Sequence, residues 1–194
     1  DYKQAINFNP DGNTIPDLFD EYDRCALEFW GKGKESGFGR MFELAQIDPA
    51  KPEPACKIRF REICQWIQMP NMEDKILNDP QVLERAKYAK IWLEKFAPES
   101  EKFSVKKELP AEAKNLTALQ RKLLVKIIGE IEKKWEPEKF QNEIYQWGKD
   151  LGLTSGEVFQ AIYLSLLGKT HGPKAAWLIL SLDKEFLKKR FGEV

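Results

Sequence analysis

The amino-acid sequence predicts an all-α protein. Apolar side chains recur at intervals of three and four residues along most of its 194 residues, and prolines and glycines separate the resulting segments. Apolar residues make up 42% of the chain and charged residues 32%, a balance that supplies a hydrophobic core and argues against disorder. No apolar run approaches the ~20 residues that a transmembrane helix needs. We therefore expect no membrane partner.

The first part of the chain contains three predicted helices. Each combines apolar residues at helical spacing with a proline or glycine at one end, and they cover residues 14–30, 60–69 and 80–96. Trp30, on the apolar stripe of the first helix, is expected in the core. The glycine-rich run over residues 31–39 is predicted to be a flexible loop. Residues 40–47 are left open between an extended stretch and a minor β element, and prolines keep the chain non-helical from there to Cys56.

A polar segment divides the chain into two parts. Residues 98–111 combine proline, serine and charged residues with few apolar ones, so we place a domain boundary between residues 1–105 and 106–194. Five further helices are predicted in the second part, and they cover residues 116–135, 137–151, 155–167, 175–182 and 184–191. Thr154 and Glu157 have the spacing of a capping box, and Asp183 is placed to cap the last helix.

The sequence contains none of the common catalytic motifs. It has no H-E-x-x-H and no G-x-S-x-G, and its glycine-rich run lacks the spacing of a phosphate-binding Walker loop. Three cysteines without C-x-x-C spacing and a single histidine cannot form an ordinary zinc site. Asp20, Glu21 and Asp23 are expected on the solvent face of the first helix. We predict no catalytic residue, metal ligand or cofactor in this chain, and a reduced, cytoplasmic setting.

The loop over residues 168–174 is the strongest candidate for a binding site. Pro173 is expected in the first turn of the helix that follows, where free backbone N–H groups face outward and can bind an anion or the edge of a base. Lysines add positive charge and a histidine offers a planar ring, a combination that suits unstacked RNA bases. The candidate site residues are Lys169, His171, Gly172, Pro173 and Lys174. In the alternative interpretation, the glycines only supply turn geometry and His171 is merely exposed.

Several ordered motifs resemble one known family. The longest is FQAIYLSLLGKTHGPKAAWLILSL over residues 159–182, and the motifs that precede it in the expected order are AINFNP at 5–10, DEYDR at 20–24, RMFEL at 40–44 and Phe60-Arg61. Together they resemble the C-terminal part of class I lysyl-tRNA synthetases, the mainly archaeal form of that enzyme. Asn7 and Asn9 stand where acidic residues are expected in that family. The resemblance covers nearly the whole chain.

The resemblance implies a helical stem-contact region over residues 1–105, followed by an α-helical cage over residues 106–194 that binds the anticodon of lysine tRNA. In related glutamyl-tRNA synthetases a similar loop approaches the anticodon bases, so Gly172 and Pro173 are the matched positions. The parent enzyme would use ATP to charge its tRNA with lysine. This chain has neither a HIGH-type nor a KMSKS-type signature. It is therefore expected to be inactive alone, to bind no ATP, and to depend on an N-terminal catalytic domain of the same, longer protein.

Two other functions stay open at this point. A helical protein-interaction module without an RNA partner would show an exposed apolar groove that lacks flanking lysine or arginine. The equivalent part of a glutamyl-tRNA synthetase would differ only in the anticodon that it prefers. The chain carries 31 basic and 31 acidic side chains, so an RNA-binding role predicts weak affinity that depends on salt.

Overall fold

The computed structural model describes residues 11–194, so the motif at residues 5–10 lies outside the described residues. Within the described part the chain forms α-helices and two short 3₁₀ helices, and no β-strand. The α-helices are α1 Thr14–Lys32, α2 Gly37–Ala45, α3 Phe60–Gln68, α4 Glu73–Leu77, α5 Pro80–Lys95, α6 Ala118–Glu130, α7 Pro137–Asp150, α8 Ser155–Leu166, α9 Ala175–Ser181 and α10 Lys184–Gly192. The 3₁₀ helices are Gly33–Glu35 and Ala111–Asn115. The all-α prediction is confirmed, and none of the helices described here combines the length and hydropathy needed to cross a membrane.

Side-chain caps explain where several helices begin. At α8 the Thr154 hydroxyl accepts a hydrogen bond of 3.3 Å from the amide of Glu157, whose carboxylate accepts one of 2.8 Å from the amide of Thr154. At α10 the Asp183 carboxylate accepts a hydrogen bond of 2.9 Å from the amide of Phe186. Both predicted caps are confirmed. A further capping box, which was not predicted, starts α6.

Most of the segment at residues 40–47, predicted as an extended stretch or a minor β element, is helical instead. Residues 40–45 belong to α2, and Gln46 is its extended C-cap. Ser36 caps this helix by accepting a hydrogen bond of 2.9 Å from the amide of Gly39. Phe42 is buried against α1, which stabilises the helical conformation. The prediction of a flexible loop over residues 31–39 is also wrong. The helix α1 continues to Lys32, and a 3₁₀ helix occupies most of the segment between α1 and α2.

The helix α6 is shorter than predicted. It ends at Glu130, and Trp135 lies beyond that end, where its indole Nε1 donates a hydrogen bond of 2.8 Å to the Glu130 carbonyl oxygen. Pro137 opens α7, and the residue before a proline is pushed towards an extended conformation. Glu136 accordingly has φ −87° and ψ 136°, an extended conformation at the N-terminal end of α7. The short helix α4 was not predicted either.

The chain divides into two compact units. The first runs to Gln68 and resumes over Met72–Lys102, whereas the second comprises Met69–Asn71 and Phe103–Val194. The helices α1 to α5 therefore belong to the first unit, and α6 to α10 belong to the second. The assignment of the two parts to stem contact and anticodon binding, with its boundary at residue 105, stays a prediction.

The first unit contains a buried ion pair between α1 and α5. Asp23 is 4% exposed, and its carboxylate accepts a hydrogen bond of 2.7 Å from Arg85 Nη2. The Arg85 guanidinium also lies 4.9 Å from the centre of the Phe19 ring. Burial raises the pKa of Asp23, and the hydrogen bond from Arg85 opposes that change. The prediction of a solvent-facing Asp23 is wrong, because Arg85 covers this side of α1.

The prediction that Trp30 lies in the core is wrong. Its side chain is 55% exposed, and its indole Nε1 donates a hydrogen bond of 3.0 Å to the carbonyl oxygen of Glu53. Tyr22 of α1 also donates a hydrogen bond, of 3.2 Å, to the Glu53 carboxylate, so two side chains of α1 hold this residue. Trp30 therefore fixes a loop rather than filling the core.

An apolar groove of about 510 Å³ lies on the surface of the first unit. Its walls come mainly from α1 and α5, and partly exposed aliphatic side chains, including Leu18 and Ile91, stand along it. Arg85 and Glu53 are the charged residues in its lining. The groove thus presents a mainly apolar surface to solvent.

The helix α8 forms the centre of the second unit. It contacts α6, α7, α9 and α10 and the 3₁₀ helix Ala111–Asn115. Such an environment explains why α8 is apolar on almost every side, with Val158, Ile162 and Leu166 fully buried. The loop that leaves the C-terminal end of α8 is therefore anchored in the best-packed part of the unit.

Candidate nucleic-acid interface

Two glycines shape the loop over residues 168–174, which joins α8 to α9. Gly168 has φ 66°, a left-handed conformation that favours glycine at the end of a helix. Gly172 is needed for a different reason, because a Cβ atom there would lie 2.8 Å from Leu167 Cδ1 and 2.9 Å from Tyr163 Cδ1. The loop backbone packs directly on these two side chains, and a larger residue at position 172 would require the loop or the side chains to shift.

Tyr163 anchors the far end of the loop. Its hydroxyl donates a hydrogen bond to the carbonyl oxygen of Pro173. Burial raises the pKa of Tyr163 to about 12, so the hydroxyl stays protonated and able to donate at neutral pH. Pro173 is itself buried. Of the predicted site residues, Gly172 and Pro173 therefore support the loop and offer a ligand little side-chain surface of their own.

The middle of the loop is accessible. Thr170 and His171 are both exposed, and the Thr170 hydroxyl lies 3.4 Å from His171 Nδ1. Lys169 is half-buried at the start of the loop. An exposed imidazole beside a hydroxyl can stack on an unpaired base and hydrogen-bond to its edge. These are the side chains that the fixed backbone presents to solvent.

Lys174 is already engaged with a carboxylate. Its Nζ lies 3.2 Å from Glu138 Oε1, and Trp177 Nε1 donates a long hydrogen bond of 3.5 Å to the same oxygen. The hydrogen bond from Lys174 lowers the pKa of Glu138. Because an exposed pair of this kind stabilises a protein little, an RNA phosphate can compete for the lysine. Lys174 is thus accessible, but its charge is partly balanced.

The start of α9 differs from the prediction. The helix begins at Ala175, so Pro173 precedes it instead of lying in its first turn. The amide of Ala176 donates a hydrogen bond of 2.9 Å to Gln141 Oε1 from α7. The expectation of outward-facing amides is wrong here, because a side chain of the same unit satisfies one of them and both alanines are buried.

A cleft of about 530 Å³ adjoins the start of the loop. The segment that leads into the second unit forms one wall, with Lys106, Lys107 and Glu112, and Gly168 and Lys169 form the other. The walls approach closely, since a Cβ atom at Gly168 would lie 3.2 Å from the Glu112 carboxylate. Sequence reasoning missed this wall because its mixture of proline and charge is typical of a linker.

Arg190 fixes that wall from behind. It is 2% exposed, and its guanidinium donates hydrogen bonds of 2.9, 2.8 and 2.9 Å to the carbonyl oxygens of Ser165, Lys106 and Lys107. The guanidinium fork thus joins α10, the end of α8 and the incoming segment. Nothing in the local sequence distinguishes Arg190 from Lys188 and Lys189 beside it, so the pattern of charge alone could not identify this role.

The five predicted site residues lie on one short loop, and the structure gives them two different roles. Lys169, His171 and Lys174 supply accessible polar groups, whereas Gly172 and Pro173 hold the backbone. Over residues 11–194, no three His, Cys, Asp or Glu side chains gather as a metal site would require. An exposed imidazole and two lysines on a loop held by Tyr163 and its glycines suit contact with an unpaired base and its phosphate.

Comparison with known proteins identifies the family to which the chain belongs and the relatives to which it is similar. A family model described as an anticodon binding domain matches residues 65–194, and the chain belongs to that family. The chain is also similar to lysine–tRNA ligases of three archaea. It is 28% identical to that of Picrophilus torridus over 97% of this chain and 39% of the relative, and 31% identical to that of Methanosarcina barkeri over 98% and 41%. It is 29% identical to that of Pyrococcus horikoshii, over 92% of this chain and 38% of the relative. The chain thus spans about two fifths of the length of these relatives.

Proposed function

We propose that this chain is the tRNA-binding part of a class I lysine–tRNA ligase and that its second unit binds the anticodon. The observation that carries the proposal is the anticodon-binding family match over residues 65–194, which includes the whole loop at 168–174. Similarity to archaeal lysine–tRNA ligases along nearly all of the chain supports lysine tRNA as the partner rather than glutamate tRNA.

In the proposed mechanism the loop recognises splayed anticodon bases. Gly172 and Tyr163 hold its backbone in place before RNA arrives, so little conformational entropy is lost on binding. Thr170 and His171 offer hydrogen bonds and a stacking surface for bases, and Lys169 attracts the phosphate backbone without regard to sequence. Phosphate contacts then supply affinity, whereas base contacts supply specificity.

Charging of the tRNA belongs to another part of the ligase in this proposal. The chain has neither of the nucleotide-binding signatures of class I synthetases, so ATP and lysine would be bound by an N-terminal catalytic domain of the longer protein. The chain itself would hold the tRNA in the orientation that this domain needs, and would be inactive alone. A cytoplasmic location follows from the same role in translation.

A binding titration tests the loop. We expect the chain to bind a lysine tRNA transcript better than a copy with its anticodon bases replaced. His171→Ala should reduce this preference, whereas Lys169→Ala should weaken the binding of both transcripts alike, because its phosphate contact does not depend on sequence. One base contact is worth about 1–3 kcal/mol, so the preference should be at least about fivefold. The titration is run at two salt concentrations, because phosphate contacts weaken as salt rises.

Lys149→Ala, at an exposed position on α7 away from the loop, is the matched control and should bind like the original chain. Equal binding to both transcripts would reject anticodon recognition by this chain. If the preference persists in His171→Ala and Lys169→Ala binds as tightly as the original chain, the anticodon is recognised elsewhere in the chain and the loop is a structural turn. An absence of any binding would favour the helical protein-interaction module.

The groove in the first unit suggests a second contact, with protein. We propose that it docks the catalytic part of the same ligase, because the relatives are about two and a half times as long as this chain. Leu18 and Ile91 are 48% and 46% exposed in the groove, and apolar side chains arranged in this way are typical of interfaces. A tRNA stem would not fit this apolar surface, since RNA is held through phosphates and 2′-hydroxyls.

Charged substitutions in the full-length ligase test this docking. We expect Leu18→Glu and Ile91→Glu to lower kcat/KM for tRNA charging by about tenfold or more, since a desolvated charge costs an interface more than 1.4 kcal/mol. Anticodon preference should be unchanged in the same variants. Leu44→Glu, which is exposed outside the groove, is the control. Charging rates equal to those of the control would show that the groove docks no catalytic part.

A further inference from the structure

The cleft beside the loop has the features of a ligand site that no sequence motif indicates. We propose that it binds one unpaired nucleotide of the RNA, with the base against the apolar floor and the flanking phosphate at the lysines. The inference rests on the proposed function and names a second group of residues that would carry it. The volume of about 530 Å³ lies within the ~300–1,000 Å³ typical of small-ligand sites.

In the wall opposite the loop, Lys106 and Lys107 are held by hydrogen bonds although they lie outside any helix. The amide of Lys106 donates a hydrogen bond of 2.8 Å to the Leu166 carbonyl oxygen, and Arg190 donates to the carbonyl oxygens of Lys106 and Lys107. Three backbone groups of two consecutive residues are therefore tied to helices of the second unit. A wall ordered in advance costs a ligand little entropy on binding.

The floor of the cleft is apolar. Leu109, Pro110 and Leu167 line it. Pro110 and Leu167 are buried, so the partly exposed Leu109 offers a ligand most of the apolar surface. The missing side chain of Gly168 keeps this floor open, since a Cβ atom there would lie 3.2 Å from Pro110 Cβ. A flat aromatic base can lie on such a surface, as unstacked bases do in proteins that bind single-stranded RNA.

The charges around the cleft distinguish a nucleotide from a simple anion. Lys106, Lys107 and Lys169 supply positive charge, but Glu108 and Glu112 also line the cleft and would repel a free phosphate. A nucleotide satisfies both kinds of group, because its phosphate is negative and its base edge carries N–H donors for which a carboxylate is the natural acceptor. The mixed charge therefore favours a base with its own phosphate.

The variant Glu112→Gln distinguishes recognition of a base from general electrostatic repulsion, because the two predict opposite changes in RNA affinity. If Glu112 only repels RNA, removing its charge raises affinity for every transcript. If it accepts a hydrogen bond from a base, the variant binds about fivefold more weakly, the equivalent of one hydrogen bond. We expect the weaker binding. The experiment is a titration against lysine tRNA transcripts in which each anticodon nucleotide in turn is made abasic.

The nucleotide that occupies the cleft is identified by combining Glu112→Gln in the protein with an abasic position in the tRNA. For one abasic position, the loss seen with the original chain should largely disappear in Glu112→Gln, because the same contact is removed from both sides. Lys107→Ala should weaken binding to all transcripts about three- to tenfold and lower the salt slope by about one. Glu143→Gln and Lys149→Ala on the exposed surface of α7 are the matched controls.

Two results would overturn the inference. One is stronger or unchanged binding in Glu112→Gln, and the other is a uniform loss that is independent of the abasic position. Both leave the proposed function intact if the original chain still prefers the native anticodon. If the original chain has no such preference, the proposed function fails first. Circular dichroism of each variant checks the fold, which we expect to be unchanged since Lys107 and Glu112 are exposed.

Discussion

Replacing Arg190 with methionine will lower the free energy of unfolding of the second unit by about 3–5 kcal/mol. The guanidinium donates to the carbonyl oxygens of Ser165, Lys106 and Lys107, and methionine has no donor for any of them. The bond to Ser165 is buried and those to Lys106 and Lys107 are partly buried, and a buried carbonyl left without a partner costs about 1–3 kcal/mol. Arg190→Lys should recover only part of the loss, because an ammonium group cannot reproduce the planar fork.

Urea unfolding with hydrogen exchange measures this effect in the second unit. The amide of Lys106, which donates to Leu166 in the folded protein, should lose protection in Arg190→Met before α8 does. Lys189→Met is the matched control, since the Lys189 side chain is 79% exposed and surface substitutions change stability by at most about 0.5 kcal/mol. If the two methionine variants are equally stable, water replaces the guanidinium and Arg190 is not structural.

Replacing Asp23 with leucine will destabilise the first unit by about 3–5 kcal/mol, because it leaves the Arg85 charge buried without its partner. The side chains of Asp23 and Arg85 are only 6% and 11% exposed. The double variant Asp23→Leu with Arg85→Met should regain most of the lost stability, since removing both charges of a buried pair is often neutral. Urea unfolding of the single and double variants gives the coupling between the two residues.

Glu21→Gln is the control for this pair. Glu21 forms an ion pair with Arg24 on the same helix, at 2.5 Å, but both side chains are about half exposed. An exposed pair contributes about 0–1 kcal/mol, so this variant should be nearly as stable as the original. If Asp23→Leu resembles Glu21→Gln, or if the double variant is no better than the single one, the buried pair does not stabilise the unit.

Most of the helices could be predicted because the signals that define them are local. The capping residues Thr154 and Asp183 lie within three residues of the amides that they accept from. The predictions that failed concern positions whose structure is determined by residues distant in the sequence. Residues 37–45 form a helix because Phe42 packs on α1, and Asp23 is buried because Arg85, more than sixty positions later, lies against it.

The candidate site likewise has one part that could be predicted from the sequence and one part that could not. The loop could be predicted because its glycines, lysines and histidine are adjacent in sequence and resemble a known motif. The second wall of the cleft could not, because Lys106 and Lys107 meet Gly168 and Lys169 only in the folded unit. Arg190 resembles any cation in the last turn of a helix, and only its three carbonyl partners reveal its role.

The packing of Gly172 against Tyr163 and Leu167 has an evolutionary consequence. A mutation at position 172 disturbs the contact between the loop and these two side chains, whereas mutations at Thr170 and His171 change only the groups that the loop presents. Selection for a different RNA partner can therefore act on the exposed pair without disturbing the support beneath it. A loop of this design can diversify its recognition while its scaffold is inherited unchanged.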